Sequence, residues 1–447
     1  MKREGEFRSR ILSGAFWSVI GKIAGNFLGL FSTFALVRLL TPVMLGQYYL
    51  SLSVATFIGT ICQFGLGRTG LRFIAQYNAV GKELRSARIL LDTLVVLLVI
   101  EIAFGVVYYF GLSKAVSEMF DEEVLHSFAF GIMVWGGLRG ALGATALLFR
   151  GYGSFREGVL MDPTGIIKTT IFLLGIGLIW LYGNGVTYPR VLLLTILSLL
   201  VPLSISLYKL LKKVHPSAYR YPSQFMMVAR VAWSVFLVGL IEFSFRQMDV
   251  WIIGYFLDSI EIAKYKTGVV LGDIVFPLMG LLTGVISPFI VESWRLGQKN
   301  KLRQLLGVAA FVYTMPCLVL FVVLILWGGE IVETVFGSDY RESASIAVVR
   351  SGFQFISSLA GFAVPFLVMI GKQSHVLIVY SIAIIPSAFV LVYGVNWAGI
   401  GGAVFAGGLS NSIILIVLSI WTGRLVGVRT FPAITRLSIK SVMKNRI

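Results

Sequence analysis

Charged side chains are scarce in this chain, 13% of its 447 residues, where a soluble globular protein carries about 25%. Acids are scarcest: 21 Asp and Glu stand against 38 Lys and Arg, a formal charge of +17. Half the usual solvating surface is missing, which excludes an ordinary soluble enzyme. Two cysteines, Cys62 and Cys317, lie far apart inside apolar runs, so there is no disulfide framework and no metal-spaced pair. His126, His215 and His375 are isolated from one another and from acids at ligand spacing, which argues against a structural metal. No G-x-x-x-x-G-K-[ST] loop occurs, so ATP is not the expected fuel. Long polar loops are also missing, leaving no room for a soluble catalytic domain. What fills the chain is 57% hydrophobic sequence with a mean hydropathy of +0.88. The 48 glycines follow no collagen period.

A bilayer core needs about 20 apolar residues per helix. At that length the candidate spans are 13–38, 45–67, 88–110, 126–149, 159–181, 189–210, 229–256, 265–291, 304–327, 346–370, 374–394 and 400–421. The expected fold class is an all-α integral membrane protein of about twelve transmembrane helices. Basic residues concentrate in alternate loops: Arg68 to Arg88, Arg150 and Arg156, Lys209 to Arg220, Arg295 to Arg303, and Lys372. The intervening loops are poor in them and hold acids such as Asp121, Glu122, Glu123, Asp258, Glu261, Asp339 and Glu342. By the positive-inside rule both termini are expected in the cytoplasm of a multi-pass protein of the cell membrane. The basic excess is then a topology signal, and nucleic acid is not an expected partner. Lys2, Arg3, Arg8 and Arg10 precede an apolar run without a small-residue cleavage site, which reads as a retained first span. The tail from Arg424, with Arg436, Lys440, Lys444 and Arg446, is expected to lie on the anionic inner leaflet. Trp17, Trp180, Trp327, Trp397 and Trp421 fall near span ends, as interfacial aromatics do.

The segment Arg38-Leu39-Leu40-Thr41-Pro42 through Gly46-Gln47-Tyr48 has a counterpart, 217 residues on, in Tyr255-Phe256-Leu257-Asp258-Ser259 through Ala263-Lys264-Tyr265. Six spans separate the copies, so both halves enter the membrane in the same direction. That predicts two six-helix lobes related by pseudo-two-fold symmetry along the membrane normal. The expected division is a first lobe at 1–210, a cytoplasmic linker at 211–228, a second lobe at 229–421 and a basic tail at 422–447.

Charges well inside spans each cost about 2.5–3.5 kcal/mol unless they face protein or water. Eight stand out: Lys22, Glu101, Arg139 and Lys168 in the first lobe, and Glu242, Arg246, Asp249 and Asp273 in the second. On the first helix Ser18, Lys22, Asn26, Gly29 and Thr33 form a polar stripe beside a Gly21-Gly25-Gly29 ladder suited to close helix approach. Glu242, Arg246 and Asp249 share one face of the seventh helix, either as an ion-pair cluster or with an acid to spare for a cation. The first lobe is net positive and the second net negative. This suggests an anionic headgroup drawn to Lys22, Asn26, Arg139 and Lys168, with Arg246 counted among them, and a coupling H+ or Na+ held by Glu242, Asp249 and Asp273. Pro277 and Pro288 in the eighth span and Pro365 in the tenth mark expected kinks. No other cofactor is expected.

Leu39-Leu40-Thr41-Pro42-xxx-Gly46-Gln47-Tyr48 after a Gly-rich first helix resembles the opening of the polysaccharide flippases, the O-antigen and oligosaccharide branch of the multidrug, oligosaccharidyl-lipid and polysaccharide exporter superfamily. Further similarities are Asp249-xxx-Ile253-Gly254-Tyr255-Phe256-Leu257, Val335-Phe336-Gly337-Ser338-Asp339-Tyr340, Gly371-Lys372 and Gly399-Ile400-Gly401-Gly402-Ala403. The resemblance covers nearly the whole chain. It implies a non-enzymatic, H+- or Na+-linked flippase that turns polyprenyl pyrophosphate-linked oligosaccharide from the cytoplasmic to the outer leaflet for surface polysaccharide assembly. Its implied partners are that lipid, the surrounding membrane lipids and polysaccharide-assembly proteins. It also implies a cavity lined by first-lobe bases, to which Lys22, Arg139 and Lys168 correspond in general position, and a seventh-helix acid matching Asp249. Twelve spans rather than fourteen depart from the peptidoglycan-precursor flippases. The main alternative is a drug or organic-cation antiporter, whose first-lobe pocket is acidic; here no acid lies between Glu6 and Glu83. A polysaccharide polymerase or ligase would carry a large outer catalytic loop, which the sequence lacks.

Overall fold

The computed structural model describes residues 2–182 and 185–433, with side chains from Ile20 onward apart from Lys22 and Pro288. The basic tail residues Arg436, Lys440, Lys444 and Arg446, and the side chain of Trp17, lie outside the described residues. Its helices run α1 Lys2–Leu39, α2 Pro42–Gln63, α3 Leu66–Ala79, α4 Glu83–Val107, α5 Ser113–Phe120, α6 Glu123–Ser127, α7 Ala129–Gly151, α8 Phe155–Leu160, α9 Ile166–Tyr182 and α10 Tyr188–Leu211. They continue with α11 Phe225–Phe256, α12 Ser259–Gly272, α13 Phe276–Arg295, α14 Lys299–Phe336, α15 Ser343–Leu359, α16 Ala363–Met369 and α17 Gln373–Val426.

Seven of these helices are long and apolar enough to cross a bilayer, and two bent pairs, α12 with α13 and α15 with α16, each make one more span. α17 holds two spans, because Ala398 and Gly399 leave helical geometry in its middle. With the shorter apolar helices Ile23–Leu39 and Ile166–Tyr182 the described chain carries the twelve expected spans of an all-α multi-pass membrane protein. Trp180 at the end of α9, Trp327 inside α14 and Trp397 beside the break in α17 are exposed, while Trp421 packs edge-on against the His375 ring.

The prolines act unevenly. The eighth span bends by 43° just ahead of Pro277, and the tenth bends by 48° at the Ala360–Phe362 junction ahead of Pro365. Gly361 has φ +70° there, and a side chain on it would strike the Thr430 carbonyl. Pro202, Pro316 and Pro386 sit inside continuous helices. Proline lacks the N–H that closes the helical ladder, yet a helix carries it when neighbours satisfy the freed carbonyl.

The chain divides into two compact units, Met1–Ile260 and Glu261–Ile447. The first therefore takes in α11, which the sequence division at 211–228 assigns to the second lobe. Packing explains why: α11 lies on α2, α3 and α4. The linker itself is docked. Ala218 is buried with Ala87 and Leu91 of α4, Arg85 donates to the Tyr221 hydroxyl at 2.6 Å and Arg88 to the Tyr219 carbonyl at 3.0 Å. Asp92 accepts from the Gln224 backbone N–H at 2.6 Å and the Ser223 hydroxyl at 3.1 Å, and pairs with Arg88 at 2.9 Å.

Within the first unit α2 and α7 make a glycine seam. A Cβ on Gly59 would stand 2.9 Å from the Gly136 carbonyl, and one on Gly140 would stand 2.8 Å from that of Gly59. Small residues here let two backbones touch, the usual means of tight packing in a membrane. The ladder on α1 serves similarly at Gly21, against Val159, and at Gly25, against Thr164, while Gly29 faces open space.

The sequence repeat has a physical counterpart. Gln47 on α2 donates to Glu122 at 3.1 Å in the first unit. In the second, Lys264 on α12 donates to Glu342 at 2.6 Å. Each pair ties the second span of its half to the acidic loop ahead of the fourth. The Lys264 ammonium holds the Glu342 carboxyl below the usual carboxylate range.

Candidate functional site

The second helix begins and ends on strong local signals. Thr41 caps it, its hydroxyl accepting from the Met44 N–H at 3.4 Å, and Pro42 fills the first turn, where its missing N–H costs nothing. It stops at Phe64 and Gly65, both in the left-handed region at φ 44° and 69°. The Phe64 ring stacks on Phe236 at 4.8 Å and lies 5.8 Å from Trp233, which fastens this corner to α11. A Cβ on Gly65 would meet the Ala232 carbonyl at 2.5 Å, so only glycine fits. The corner sets the direction of α3 and aims Arg68 at α11.

Between these elements lies a cavity of about 250 Å3 lined by Thr56, Thr60 and Gln63 of α2, Arg68 of α3, and Gly239, Glu242, Arg246 and Gln247 of α11. Thr56, Thr60 and Gln63 recur at four and three residues and so share one helix face. Arg68 grips Glu242 with both terminal nitrogens, at 2.6 and 3.3 Å. The pair is half exposed, 48% and 43%. Arg246 is exposed and makes no hydrogen bond or ion pair among the described residues. Two guanidinium groups against one carboxylate give the cavity a surplus positive charge.

Further along α2 the space is filled. Phe57, Phe243 and Trp251 pack at centroid distances of 5.3 to 5.6 Å, with Phe120 at 5.9 Å from Trp251. Trp251 donates from its indole nitrogen to the Ser53 hydroxyl at 3.1 Å. Beyond this plug Glu122 accepts from Gln47 and from Ser259, joining α2 to the turn that follows α11. The cavity thus opens at the Arg68 end, where the basic loops lie, and is closed at the acidic end.

Arg139 of α7 and Lys168 of α9, both half-buried, come together: each lies within electrostatic reach of the other, and Asp162 acts on Arg139. The Lys168 ammonium sits 4.8 Å from the centre of the Phe172 ring, a cation–π contact. Asp162 is held by the Thr164 N–H at 3.1 Å and hydroxyl at 2.8 Å, and by Arg150 at 3.4 Å. Gln63 links this group to the cavity, because a Cβ on Gly143, one turn from Arg139, would stand 3.0 Å from its amide nitrogen. Asn26 is exposed on α1, next to the Gly25 contact with Thr164. The Lys22 side chain lies outside the described residues.

Of the three acids expected to hold a cation, two are engaged by arginines. Glu242 is taken by Arg68 rather than by Arg246. Asp273 stands at the bend between α12 and α13 and is gripped by Arg350 of α15 at 2.8 and 2.7 Å. One oxygen of Asp249 accepts from the following N–H at 2.8 Å. Among the described residues no group of three His, Cys, Asp or Glu is placed to hold a metal ion.

Two arginines that grip interior acids escape the sequence reading. Arg68 counts there as a loop charge, because its span is expected to end at 67. Arg350 lies within the tenth span and belongs with the interior charges, so these do not number eight, and the second half is less negative than expected. The i, i+4, i+7 stripe of Thr56, Thr60 and Gln63 in an apolar helix is the signal that would have marked the cavity.

The family model described as polysaccharide biosynthesis protein matches residues 11–294. No curated protein sequence matches the chain. Among solved structures it is similar to an inward-facing multidrug resistance MATE family transporter of the MOP superfamily, with a TM-score of 0.71 at 14% identity over 95% of this chain and 96% of that one. A point mutant of the Vibrio cholerae MATE transporter VcmN gives 0.64 at 14%, covering 96% and 98%. The lipid II flippase MurJ in an inward closed conformation gives 0.64 at 12%, covering 91% and 87%. At such identities the likeness is one of fold: twelve helices in two lobes.

Proposed function

The chain belongs to the polysaccharide biosynthesis protein family, and from that premise we propose that this membrane transporter of the MOP superfamily flips polyprenyl pyrophosphate-linked oligosaccharide from the cytoplasmic to the outer leaflet. The observation that carries the reading is the one-ended, net-positive cavity at Arg68, Glu242 and Arg246. A pyrophosphate needs cationic donors in a space open to the leaflet where it is made, and guanidinium groups meet phosphate oxygens two at a time. The positive-inside bias of the basic loops supports an opening on the cytoplasmic side of the cell membrane, the side proposed for both termini.

The Arg68–Glu242 pair suits a site that must be emptied and refilled. A half-exposed ion pair contributes about 0–1 kcal/mol, so a pyrophosphate exchanges with Glu242 for Arg68 at small cost. Arg246 supplies a second guanidinium, and Gln63 leads toward Arg139 and Lys168. The sugars occupy the hydroxyl- and amide-lined remainder of the cavity. Closure behind the headgroup and opening of the Phe57–Trp251 plug complete alternating access, driven by an H+ or Na+ gradient. With Glu242 and Asp273 each gripped by an arginine, a Na+ ion there would first have to displace a guanidinium.

Headgroup choice tests the reading. Native mass spectrometry of the full chain with polyprenyl pyrophosphate, polyprenyl monophosphate and a cationic dye should show preference for the pyrophosphate, weakened by high salt. Preference for the dye would support the antiporter reading instead.

A further inference from the structure

Glu101 is the one charged residue in the stretch of α4 from Leu94 to Val107, and the transport cavity does not use it. Its carboxyl lies in a second hollow, a groove of about 610 Å3 between α4 and α7 lined by Leu98, Ile102, Val106, Tyr109, Met133 and Leu138. Leu98, Ile102 and Val106 are more than half exposed on what, in a bilayer, is the hydrocarbon side. Gly105 and Gly137 leave the groove its depth; a Cβ on Gly137 would stand 3.9 Å from the Glu101 carboxyl carbon. The groove ends at a π-helical turn, Tyr108–Leu112, a distortion often found at functional positions.

One carboxyl oxygen of Glu101 is buried without a hydrogen-bond partner. No charged group acts on Glu101 among the described residues. The titratable side chain facing it is Cys62 of α2. From α7 its neighbours are Met133 and Gly137, and Arg139, two residues on, acts with Asp162, Tyr48 and Lys168 instead. α3 and α11, also packed on α4, bring no charge to bear on it.

A structural acid in a membrane is paired, as Asp92, Glu242 and Asp273 are here. An unpaired carboxylate in hydrocarbon is expensive, and the ligand that removes the cost without a counter-charge is a proton. Position links the group to the cavity: Cys62 precedes Gln63, so Glu101 stands across α2 from the lining residues Thr56, Thr60 and Gln63. The Gly59, Gly136 and Gly140 seam between α2 and α7 is where backbone contact without side chains lets one helix slide on the other.

We propose that Glu101 is the proton-binding site of this transporter: a carboxylic acid while α2 and α7 keep water from it, and a carboxylate that releases H+ when their shift admits water. The inference rests on the gradient-driven part of the proposed function and is independent of the cargo.

The test uses the full-length protein in proteoliposomes and a fluorescent hydrophobic carbodiimide, NCD-4, which reacts with protonated carboxyl groups in apolar surroundings. Peptide mapping should place the adduct on Glu101, with labelling at pH 6 at least tenfold faster than at pH 9 and none in E101Q. A cysteine replacing Gln247 at the cavity should show, beyond the pH dependence that thiol ionisation gives any cysteine, a further pH-dependent step in maleimide reactivity that E101Q abolishes and E101D retains with a displaced midpoint. Thermal stability of each variant reports whether it folds. No adduct on Glu101 at any pH, or unchanged pH dependence in well-folded E101Q, would overturn the proposal. Labelling as expected without flipping of a pyrophosphate lipid would overturn the cargo and leave the proton site standing.

Discussion

Arg68 and Arg246 share a cavity but not a role in the resting state: one is engaged with Glu242 at 2.6 Å, the other is open to solvent. Replacing Arg246 by Ala should therefore weaken pyrophosphate-lipid binding about tenfold or more, the loss of one charge-assisted hydrogen bond of roughly 1.5–3 kcal/mol. Arg68→Ala should weaken it comparably, whereas Glu242→Gln, which frees Arg68, should tighten it; titration by native mass spectrometry reads all three. Asp273 and Arg350 differ in being only 25% exposed each. Arg350→Ala should destabilise the fold by about 2 kcal/mol, because a half-buried carboxylate is left alone, and Asp273→Asn in the same chain should recover much of it. A thermal-unfolding double-mutant cycle measures that coupling. The sequence showed Asp273 and Arg246 as interior charges but not what they meet. Partners 77 and 174 residues distant, as in Arg350–Asp273 and Arg68–Glu242, are set by tertiary packing.

The helices themselves were legible because each apolar run has the length that a bilayer imposes. One boundary was less so because local geometry overrides hydropathy: the Phe64–Gly65 corner ends α2 ahead of Arg68, whereas the break at Ala398 and Gly399 falls between the expected spans 374–394 and 400–421. Proline was an incomplete guide, since the bend at Gly361 needs a left-handed residue, while Pro316 and Pro386 stay within helices. The segment 211–228, polar enough to read as a free linker, is instead a strap on α4. Asp92, 7% exposed, collects the Gln224 N–H, the Ser223 hydroxyl and Arg88 there. Asp92→Ala should cost about 3 kcal/mol, leaving a guanidinium and a backbone donor unsatisfied. Limited proteolysis should then cut near Pro222, a site protected in the parent protein.

At the scale of the molecule, basic and acidic loops alternate, each half carries a second-span latch, and the candidate cavity of the first unit lies toward the basic loops. If that side is cytoplasmic, a cysteine at Lys82 should react with an impermeant maleimide only after permeabilisation, and one at Glu118 in intact cells. Background is low, because Cys62 and Cys317 are both buried. The cargo is the central claim, and leaflet exchange measures it most directly. Proteoliposomes containing the purified chain and a fluorescent polyprenyl pyrophosphate oligosaccharide should show protein-dependent flipping, quenched on both leaflets over time and lost in the Arg68→Ala, Arg246→Ala double variant. An unchanged, one-leaflet quench across a range of such lipids, with the same vesicles moving cationic dyes, would contradict the account.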